Sequence, residues 1–306
     1  MNRFGLATIK VSVGSSVQQC YFVVERVSDD ELTEANGVLT YERKSGVSDT
    51  KGINDLLRKA ERSKGEYDTV YIPGGTYNID AVPTKSDFGG LILTDNQNLV
   101  MADNATLKVQ PNGSTSYHAI WAFGRSNITI TGGKIVGDYK NGHKGGSGEW
   151  GHGIDISGCT NVYITDVEVS YCWGDGIYLG FYDGPNKSSN RVTIEKCNLH
   201  HNRRNNLSIT DASNITVNNC KFNNAGGTDP GYGIDIEPNS GRTCSNVTIS
   251  NSTFNGNAKG TIQILGQLNA HVKGVTITNC TGDKAPVIWE GFGGSVSGVT
   301  QKGNKW

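Results

Sequence analysis

The sequence lacks an excess of charge of either sign. Its 306 residues include 28 Lys and Arg and 29 Asp and Glu, so the formal net charge is −1. Because an even balance creates no large field of one sign, the composition does not indicate a nucleic acid or an acidic membrane as partner. The sequence also has no run of about 18 apolar residues, which a membrane-spanning helix would need.

Two common signals are missing as well. Lys10, Gly14 and Gln18 interrupt the short apolar stretches at the start, so this region does not resemble the apolar core of a signal peptide. We therefore expect no export by the usual route, unless a leader has been replaced. The 7 cysteines include no Cys-X-X-Cys pair, and the sequence predicts neither a metal site nor a need for disulfides.

A short phrase recurs between residues 98 and 300. Each copy has an Asn, Gly or Arg, then an apolar, a polar and, in most copies, a second apolar residue, and the copies begin 23 to 34 residues apart. The starting residues are Asn98, Asn127, Asn161, Arg191, Asn214, Asn246, Gly274 and Gly298. A period of this size indicates stacked repeats, and the alternation within each phrase predicts a short strand with one buried face.

Two further strands are predicted in each repeat. The second strand follows a residue expected in a left-handed turn conformation and begins with an inward, mostly small residue. The turn residues are Asp166, Lys196, Asn219, Asn251 and Asn279, and the inward column is Val167, Cys197, Cys220, Ser252 and Cys280. The third strand follows a Gly or Asn, as in Gly233-Ile234-Asp235-Ile236. Three strands per repeat predict an all-β fold, the right-handed parallel β-helix.

An amphipathic helix is predicted before the repeats. Ile53, Leu56, Leu57 and Ala60 have the spacing of one helix face, and Val70-Tyr71-Ile72-Pro73-Gly74-Gly75-Thr76-Tyr77 follows. Together with the repeats, these phrases resemble the pectate-lyase-like β-helix superfamily, in particular the opening of phage tailspikes and related polysaccharide depolymerases. The resemblance implies an N-terminal capping helix over the open end of the coil, and a protein that is part of a phage virion or extracellular.

The chain is predicted to divide into two segments. Residues 1–45 are expected to form a small N-terminal β segment of antiparallel strands at residues 6–13, 20–27 and 37–41, outside the repeat. This segment is interpreted either as an attachment module or as a flap on the edge of the coil. Residues 46–306 are predicted to form the β-helix.

Three long turns, at residues 138–151, 181–190 and 224–231, are predicted to border the third strands and to wall a groove over their outward face. Asp235 and Glu237 lie on that face as alternate residues, roughly 6.6 Å apart along the strand. Glycoside cleavage needs an acid and a base, and a spacing near the lower end of about 6.5 to 9.5 Å predicts an inverting hydrolase. Asp175 and Asp155 are further catalytic candidates.

Neighbouring residues are predicted to bind substrate. Tyr178 is expected to stack on a sugar, and Arg203 or Arg204 to bind a sugar carboxylate or keep a catalytic acid ionised, with solvated turn arginines as the alternative. The other candidates are His152, Ser208, Thr210, Tyr232 and Lys259. The remaining histidines show no metal-ligand spacing and are interpreted as ordinary surface residues: His118, His143, His200, His201 and His271.

Two stretches resemble motifs of known enzymes. His152-Gly153-Ile154-Asp155, followed by Gly174-Asp175-Gly176-Ile177, is similar to the spacing in polygalacturonase-type hydrolases, but the doubled Asp and the later Gly-His-Gly are absent. Tyr232-Gly233-Ile234-Asp235 is similar to the start of an alginate-epimerase motif, in which Glu237 would be a His.

The sequence therefore predicts a carbohydrate-active protein, with a glycoside hydrolase that needs no cofactor as the favoured activity. One alternative is a lyase or C5-epimerase acting on a uronic-acid polymer, in which Ca²⁺ can assist an acid such as Asp175 or Asp235. The other is a non-catalytic phage spike or adhesin. The expected partner is a polysaccharide, and not a nucleic acid or a membrane; a homotrimer is left open.

Overall fold

The structure is a computed structural model that describes residues 4–13, 16–25, 36–84, 89–183 and 187–306. Two N-terminal strands, β1 (Phe4–Val13) and β2 (Ser16–Glu25), pair with each other in antiparallel orientation. Within these described ranges, no helix is both long and apolar enough to cross a membrane.

The remaining strands, numbered in chain order, form three parallel ladders. The first ladder contains β3 (Val38–Thr40), β4 (Thr69–Ile72), β7 (Gln97–Met101), β10 (Ser126–Thr131), β13 (Thr160–Thr165), β16 (Lys187–Glu195), β19 (Ala212–Asn218), β22 (Thr243–Ser250), β25 (His271–Thr278) and β28 (Ser295–Lys302). The second contains β5 (Gly75–Ile79), β8 (Ala105–Val109), β11 (Lys134–Val136), β14 (Glu168–Ser170), β17 (Asn198–His200), β20 (Lys221–Asn223), β23 (Thr253–Asn255) and β26 (Thr281–Gly282). The third contains β6 (Leu91–Ile92), β9 (Ser116–Phe123), β12 (Trp150–Ser157), β15 (Ile177–Tyr182), β18 (Leu207–Ile209), β21 (Tyr232–Ile236), β24 (Gly260–Gly266) and β27 (Val287–Glu290).

Successive coils stack in register along each ladder. Val162 pairs with Ile128 and with Val192 in the first ladder, and Leu199 pairs with Val169 and with Phe222 in the second. The first and third ladders join into one 18-stranded sheet, and the second is a separate 8-stranded sheet. The right-handed parallel β-helix with an N-terminal capping helix is thereby confirmed.

Inward residues of the three ladders form one continuous apolar core. Like residues stack on like: the Phe222 and Phe254 rings lie 5.1 Å apart, nearly parallel. The expected column of small residues is confirmed, because Cys197, Cys220 and Cys280 are buried free thiols beside the buried Ser252. Burial raises the pKa of the Cys280 thiol, as expected for an inert core residue.

Left-handed residues close the turns between the first and second ladders. Asp166, Lys196, Asn219, Asn251 and Asn279 have φ values between 51° and 57°, as the sequence predicts. This conformation is least costly for Asn and Asp among residues with a side chain.

Helix α1 (Asp49–Arg62) covers the N-terminal end of the coil. Ser48 caps it by accepting a hydrogen bond from the Lys51 N–H, and Ile53 and Leu57 are buried against the core. Asn54 lies where the third ladder ends: its Nδ2 donates to Gly90 O at 2.8 Å, and its Oδ1 accepts from Ile92 N at 3.0 Å. A side chain thus takes the place of a missing neighbouring strand.

Two sequence expectations about the N-terminal end are wrong. Residues 37–41 are not part of an antiparallel unit, because β3 pairs in parallel with β4 and its Leu39 is buried in the core. The first copy of the repeated phrase is displaced by two residues, since Leu99 pairs with Ile130. Gln97 therefore takes an inward position, where its Nε2 donates to Leu57 O of α1. The division of the chain at residue 45 stays a prediction.

Candidate functional site

The candidate site lies on the outward face of the third ladder. As predicted, the register places one outward residue of each coil in a row, which consists of Asp155, Tyr178, Ser208, Asp235 and Gln263. Consecutive members are about 4.8 Å apart, the spacing of neighbouring strands. The row therefore aligns side chains from five coils on one face of the third ladder.

Three of these five outward positions are buried. Asp155 is 4% exposed, Ser208 is 0% exposed and Asp235 is 1% exposed. The physical reason is that Arg204 and Asn205, in the turn before β18, lean over the row. Asn205 Nδ2 donates to Ser208 Oγ at 3.0 Å and to Asp235 Oδ2 at 3.1 Å. Protein side chains thus cover the outward side of Ser208.

Asp235 is a buried carboxyl group in a polar setting. Besides the contact with Asn205, its Oδ1 accepts a hydrogen bond from Gln263 Nε2 at 3.0 Å. Burial and then the negative charge of Glu237 raise the pKa of Asp235 to about 7, while the positive charge of Arg204 acts in the opposite direction. A carboxyl group with this pKa is partly protonated near neutral pH, as a general acid requires.

Glu237 follows the last residue of β21 and is half-buried. Its backbone N–H donates to Ile209 O, and its Oε1 accepts from Gln267 Nε2 at 2.6 Å. The two carboxyl groups are thus close in sequence and unequal in burial. Two interacting carboxyl groups with different surroundings are the usual basis of an acid and base pair.

Asp175 lies at the centre of a buried ion pair. Its Oδ2 accepts from Arg204 Nη1 at 3.0 Å, and its Oδ1 accepts from Asn205 N at 2.9 Å. Burial disfavours the guanidinium charge, but Asp175 and Asp235 more than compensate and raise the pKa of Arg204. Asp175 therefore anchors Arg204 beside Asp235, and this geometry favours a positioning role for it.

Asp155 lies at the other end of the row with a partner that sequence reasoning missed. His118 Nδ1 lies 3.1 Å from Asp155 Oδ2, although this contact lacks hydrogen-bond geometry. Ser157 Oγ donates to Asp155 Oδ1 at 2.6 Å. The interpretation of His118 as an ordinary surface residue is wrong. Strand β9 lacks the glycine that marks other third strands, so only the alternation of Tyr117, Ala119 and the following residues could have placed it.

Rings of successive coils stack beside this acid. His152 lies 4.8 Å from the Tyr178 ring at an interplanar angle of 11°, and 5.9 Å from the His118 ring. Burial lowers the pKa of His152, and its Nδ1 accepts a hydrogen bond from Asp175 N. Thr210 Oγ1 donates to Tyr178 Oη at 2.8 Å. Tyr178 is thus held in place and half-buried at the groove.

The other candidates are positioned differently. Arg203 packs on the Trp173 ring at 3.7 Å and donates to the carbonyl oxygens of Gly148 and Trp173, so its donors serve the protein. Tyr232 is almost buried, and its backbone N–H donates to Asn205 Oδ1. Lys259 is exposed at the rim, 3.3 Å from the exposed Asp229.

The long turn at residues 138–151 reaches Arg204 beside the row. Glu149 Oε2 lies 3.6 Å from Arg204 Nε. His143 stacks on the face of Trp173 at 3.5 Å and lies 2.8 Å from Asp138, so its interpretation as a surface residue is wrong. The predicted long turn at residues 181–190 is wrong in its described part, because β15 continues to Tyr182 and pairs in antiparallel orientation with Lys187 and Ser188 of β16. Residues 184–186 lie outside the described residues. Among the residues the structure describes, no three His, Cys, Asp or Glu side chains are grouped so that they could hold a metal ion.

Comparisons with known sequences agree with the fold. A family described as right-handed beta helix region matches residues 89–281. The uncharacterized protein YclG of Bacillus subtilis is 36% identical over 242 residues, which cover 72% of this chain and 41% of YclG. The SPbeta prophage-derived uncharacterized protein YorA is 33% identical over 85% of this chain and 46% of its own length. The pre-neck appendage protein of Bacillus phage phi29 is 28% identical over 67% of this chain and 25% of its own length. The chain thus spans less than half the length of these relatives.

Two solved structures are similar in fold. The tailspike protein gp49 of Acinetobacter baumannii bacteriophage Fri1, a capsular polysaccharide depolymerase, superposes with a TM-score of 0.57 at 15% identity, covering 98% of this chain and 64% of the tailspike. A polygalacturonase from Erwinia carotovora has a TM-score of 0.56 at 16% identity, and the match covers 87% of this chain and 92% of the polygalacturonase. At such identities the likeness concerns the fold alone.

Proposed function

We propose that this chain, which belongs to the right-handed β-helix family, binds a polysaccharide over its third ladder and hydrolyses it. The observation that carries the proposal is the pair formed by Asp235 and Glu237. Asp235 is buried with a pKa of about 7, and Glu237 is a half-buried carboxyl group two residues further along the same edge of the groove.

In the proposed reaction, Asp235 donates its proton to the glycosidic oxygen as the bond from that oxygen to the anomeric carbon breaks. Glu237 accepts a proton from a water molecule, and the oxygen of this water forms the new bond to the anomeric carbon. One water is consumed and two hydroxyl ends are produced. The backbone spacing of alternate strand residues, roughly 6.6 Å, is near the lower end of the separation that leaves room for the water, and it supports inversion at the anomeric carbon.

Gln263 controls access to the acid in this proposal. Its amide covers Asp235 Oδ1 in the structure, and its side chain is half-buried at the groove surface. Rotation of this one side chain would uncover the carboxyl group, and the glycosidic oxygen would take the place of the amide. Arg204 stays behind the acid, fixed by Asp175, and keeps its pKa from rising further.

The substrate class and the location are supported by the relatives. One of them is a phage appendage protein, another derives from a prophage, and a protein of similar fold is a tailspike that depolymerises capsular polysaccharide. We therefore propose a bacterial surface polysaccharide as substrate and a phage virion as the location. Tyr178, half-buried and braced by His152 and Thr210, is proposed to stack on a sugar ring next to the acids.

Isosteric replacement tests the catalytic pair. Asp235→Asn and Glu237→Gln should each lower turnover by at least about a hundredfold, the low end for loss of general acid or base catalysis, with little loss of glycan binding. The double variant should be scarcely worse than the poorer single variant, because the two groups act as a unit. Asp229→Asn, at an exposed rim carboxylate, is the matched control and should retain full turnover.

Turnover is measured as shortening of the polysaccharides in a purified capsular panel, with mass spectrometry of the products. Near-normal turnover in both acid variants would rule out the pair and direct attention to Asp155, Asp175 and His152. An unsaturated, ultraviolet-absorbing product end would show a lyase instead of a hydrolase. Tight binding without any change in chain length would identify a non-catalytic adhesin.

A further inference from the structure

Three aromatic rings lie together on the outward face of the third ladder, away from the proposed acids. We refer to Trp121, Phe123 and Tyr182 as the aromatic platform. The Phe123 ring centroid lies 4.6 Å from that of Trp121 and 5.8 Å from that of Tyr182, with which it is stacked at 26°. All three residues are half-buried, so each packs on the protein while part of its surface faces the groove.

The local sequence fixes the position of each ring. In β9, Ile120 and Ala122 face the core, so the alternating residues Trp121 and Phe123 face outward. The indole Nε1 of Trp121 donates to Gly89 O at 2.9 Å, which orients its ring. Tyr182 reaches across Gly158, where an added Cβ would lie 2.6 Å from Tyr182 Cβ and where φ is +65°. The platform is therefore held by the fold before any ligand binds.

Polar groups surround the platform. Arg125 and Asp95 form an exposed ion pair on one side, with Nη1 and Oδ2 3.4 Å apart. On the other side His118 packs edge-on against Phe123 at 5.6 Å and approaches Asp155. A sugar ring presents C–H groups on its faces and hydroxyl groups at its edge, so it matches apolar rings within a charged rim.

We infer that the aromatic platform is a second glycan subsite, on the same groove as the acids and distant from them. In register, Trp121 pairs with Asp155, which is followed by Tyr178, Ser208 and Asp235. The platform is thus four strands from Asp235, about 19 Å at the usual strand spacing. The ligand class in this inference, a glycan, rests on the proposed function. The inference adds that the protein binds an extended chain of several sugars and cleaves within that chain.

Matched phenylalanine replacements test the subsite. Phe123→Ala removes a platform ring, while Phe292→Ala removes a ring that is 74% exposed on the loop after β27, six strands from the platform strand β9 along the same ladder. Retardation of the full chain is measured in native gels that contain polygalacturonate, alginate, an α-1,3-glucan or a purified bacterial capsular polysaccharide. Phe123→Ala and Trp121→Ala should weaken retardation by the best-binding polymer about tenfold, as for loss of one stacked ring. Phe292→Ala should match the wild type, and Phe123→Tyr should restore binding.

The length of the ligand provides the second measurement. With oligosaccharides of the same polymer, Phe123→Ala should weaken binding of long chains and leave disaccharide binding at wild-type strength. Thermal melts establish that the variants are folded. Equal retardation of Phe123→Ala and Phe292→Ala, or wild-type protein that no polymer in the series retards, would overturn the subsite. Because binding is measured in the Asp235→Asn background as well, loss of the platform effect and failure of Asp235 to catalyse are separate results.

Discussion

Arg204 illustrates how one buried side chain sets the properties of the acids around it. Its guanidinium contacts Asp175 and Glu149 and lies in the field of Asp235. Without this positive charge, the nearby charges acting on Asp235 would be those of Glu237 and Asp175, both negative, and the pKa of Asp235 would be higher still. The arginine thus keeps the acid in the range in which it can both hold and release a proton near neutral pH.

The raised pKa of Asp235 predicts a pH-dependent free energy of unfolding. In the unfolded chain its pKa returns towards 3.8, whereas in the folded protein it is about 7. Between these values the folded state binds more protons than the unfolded state, so this group contributes stability at low pH that is lost as pH rises through the folded pKa. Asp235→Asn removes the effect. The variant should gain melting temperature relative to the wild type as pH rises from 4 to 8, as followed in thermal melts.

The Asp229→Asn variant is the control for this measurement, because it removes an exposed carboxylate in place of a buried one and should change the melting temperature little. If the wild type and Asp235→Asn melted with a constant difference across this range, Asp235 would be ionised throughout. Asp235 could then not act as the proposed general acid.

At the scale of elements, α1 shows how the coil ends without leaving unpaired backbone groups. A strand edge exposes N–H and C=O groups that would otherwise recruit another chain. Asn54 pairs with two of these groups at Gly90 and Ile92, and Gln97 joins the helix to the first ladder through Thr94 N and Leu57 O. The helix is therefore connected to the sheet by directional bonds as well as by the burial of Ile53 and Leu57.

Replacement of Asn54 tests this connection. Asn54→Ala leaves Gly90 O and Ile92 N buried without their side-chain partners, and each loss should cost about 1 to 3 kcal/mol. Asp55→Ala, one residue further along α1, removes only exposed ion pairs with Lys51 and Arg58 and should cost less than about 1 kcal/mol. Urea unfolding of both variants gives the comparison. Equal midpoints for the two variants would show that α1 is held by apolar packing alone.

Periodicity explains which elements the sequence predicts well. The phrase, the left-handed column and the thiol column recur at fixed offsets, so errors in one copy are corrected by the others. Exceptions arise where the type of a residue is set by a contact outside its own coil. Gln97 interrupts the apolar pattern because it donates a hydrogen bond to Leu57 O of α1. Strand β3 lacks the phrase although it pairs in parallel with β4.

The site is less predictable than the fold for a similar reason. The row from Asp155 to Gln263 follows from the repeat, but its burial depends on Arg204 and Asn205, whose direction no local pattern specifies. His118 and Asp155 are in contact, but one complete coil separates them in the sequence, and no shared motif links them. Alternation within a strand predicts which face a residue occupies. It does not predict which turn residues lie over that face.

At the scale of the whole molecule, each coil is stabilised mainly by its two neighbours, so an error in one inward position affects the stack on both sides. Ile236 is fully buried, in register with Ile209 and Ile264. Ile236→Asp should therefore cost several kcal/mol, because an unpaired charge enters the core.

Thr216→Asp places the same side chain on the solvated face of the first ladder, between Thr193 and Thr248, and should leave stability nearly unchanged. Thermal melts of both variants, followed by circular dichroism, test the register through the whole coil. If Ile236→Asp and Thr216→Asp had the same melting temperature, residue 236 would face solvent. Asp235 would then face the core, and the outward row that defines the groove would be lost, since a shift of one residue exchanges the two faces of a strand.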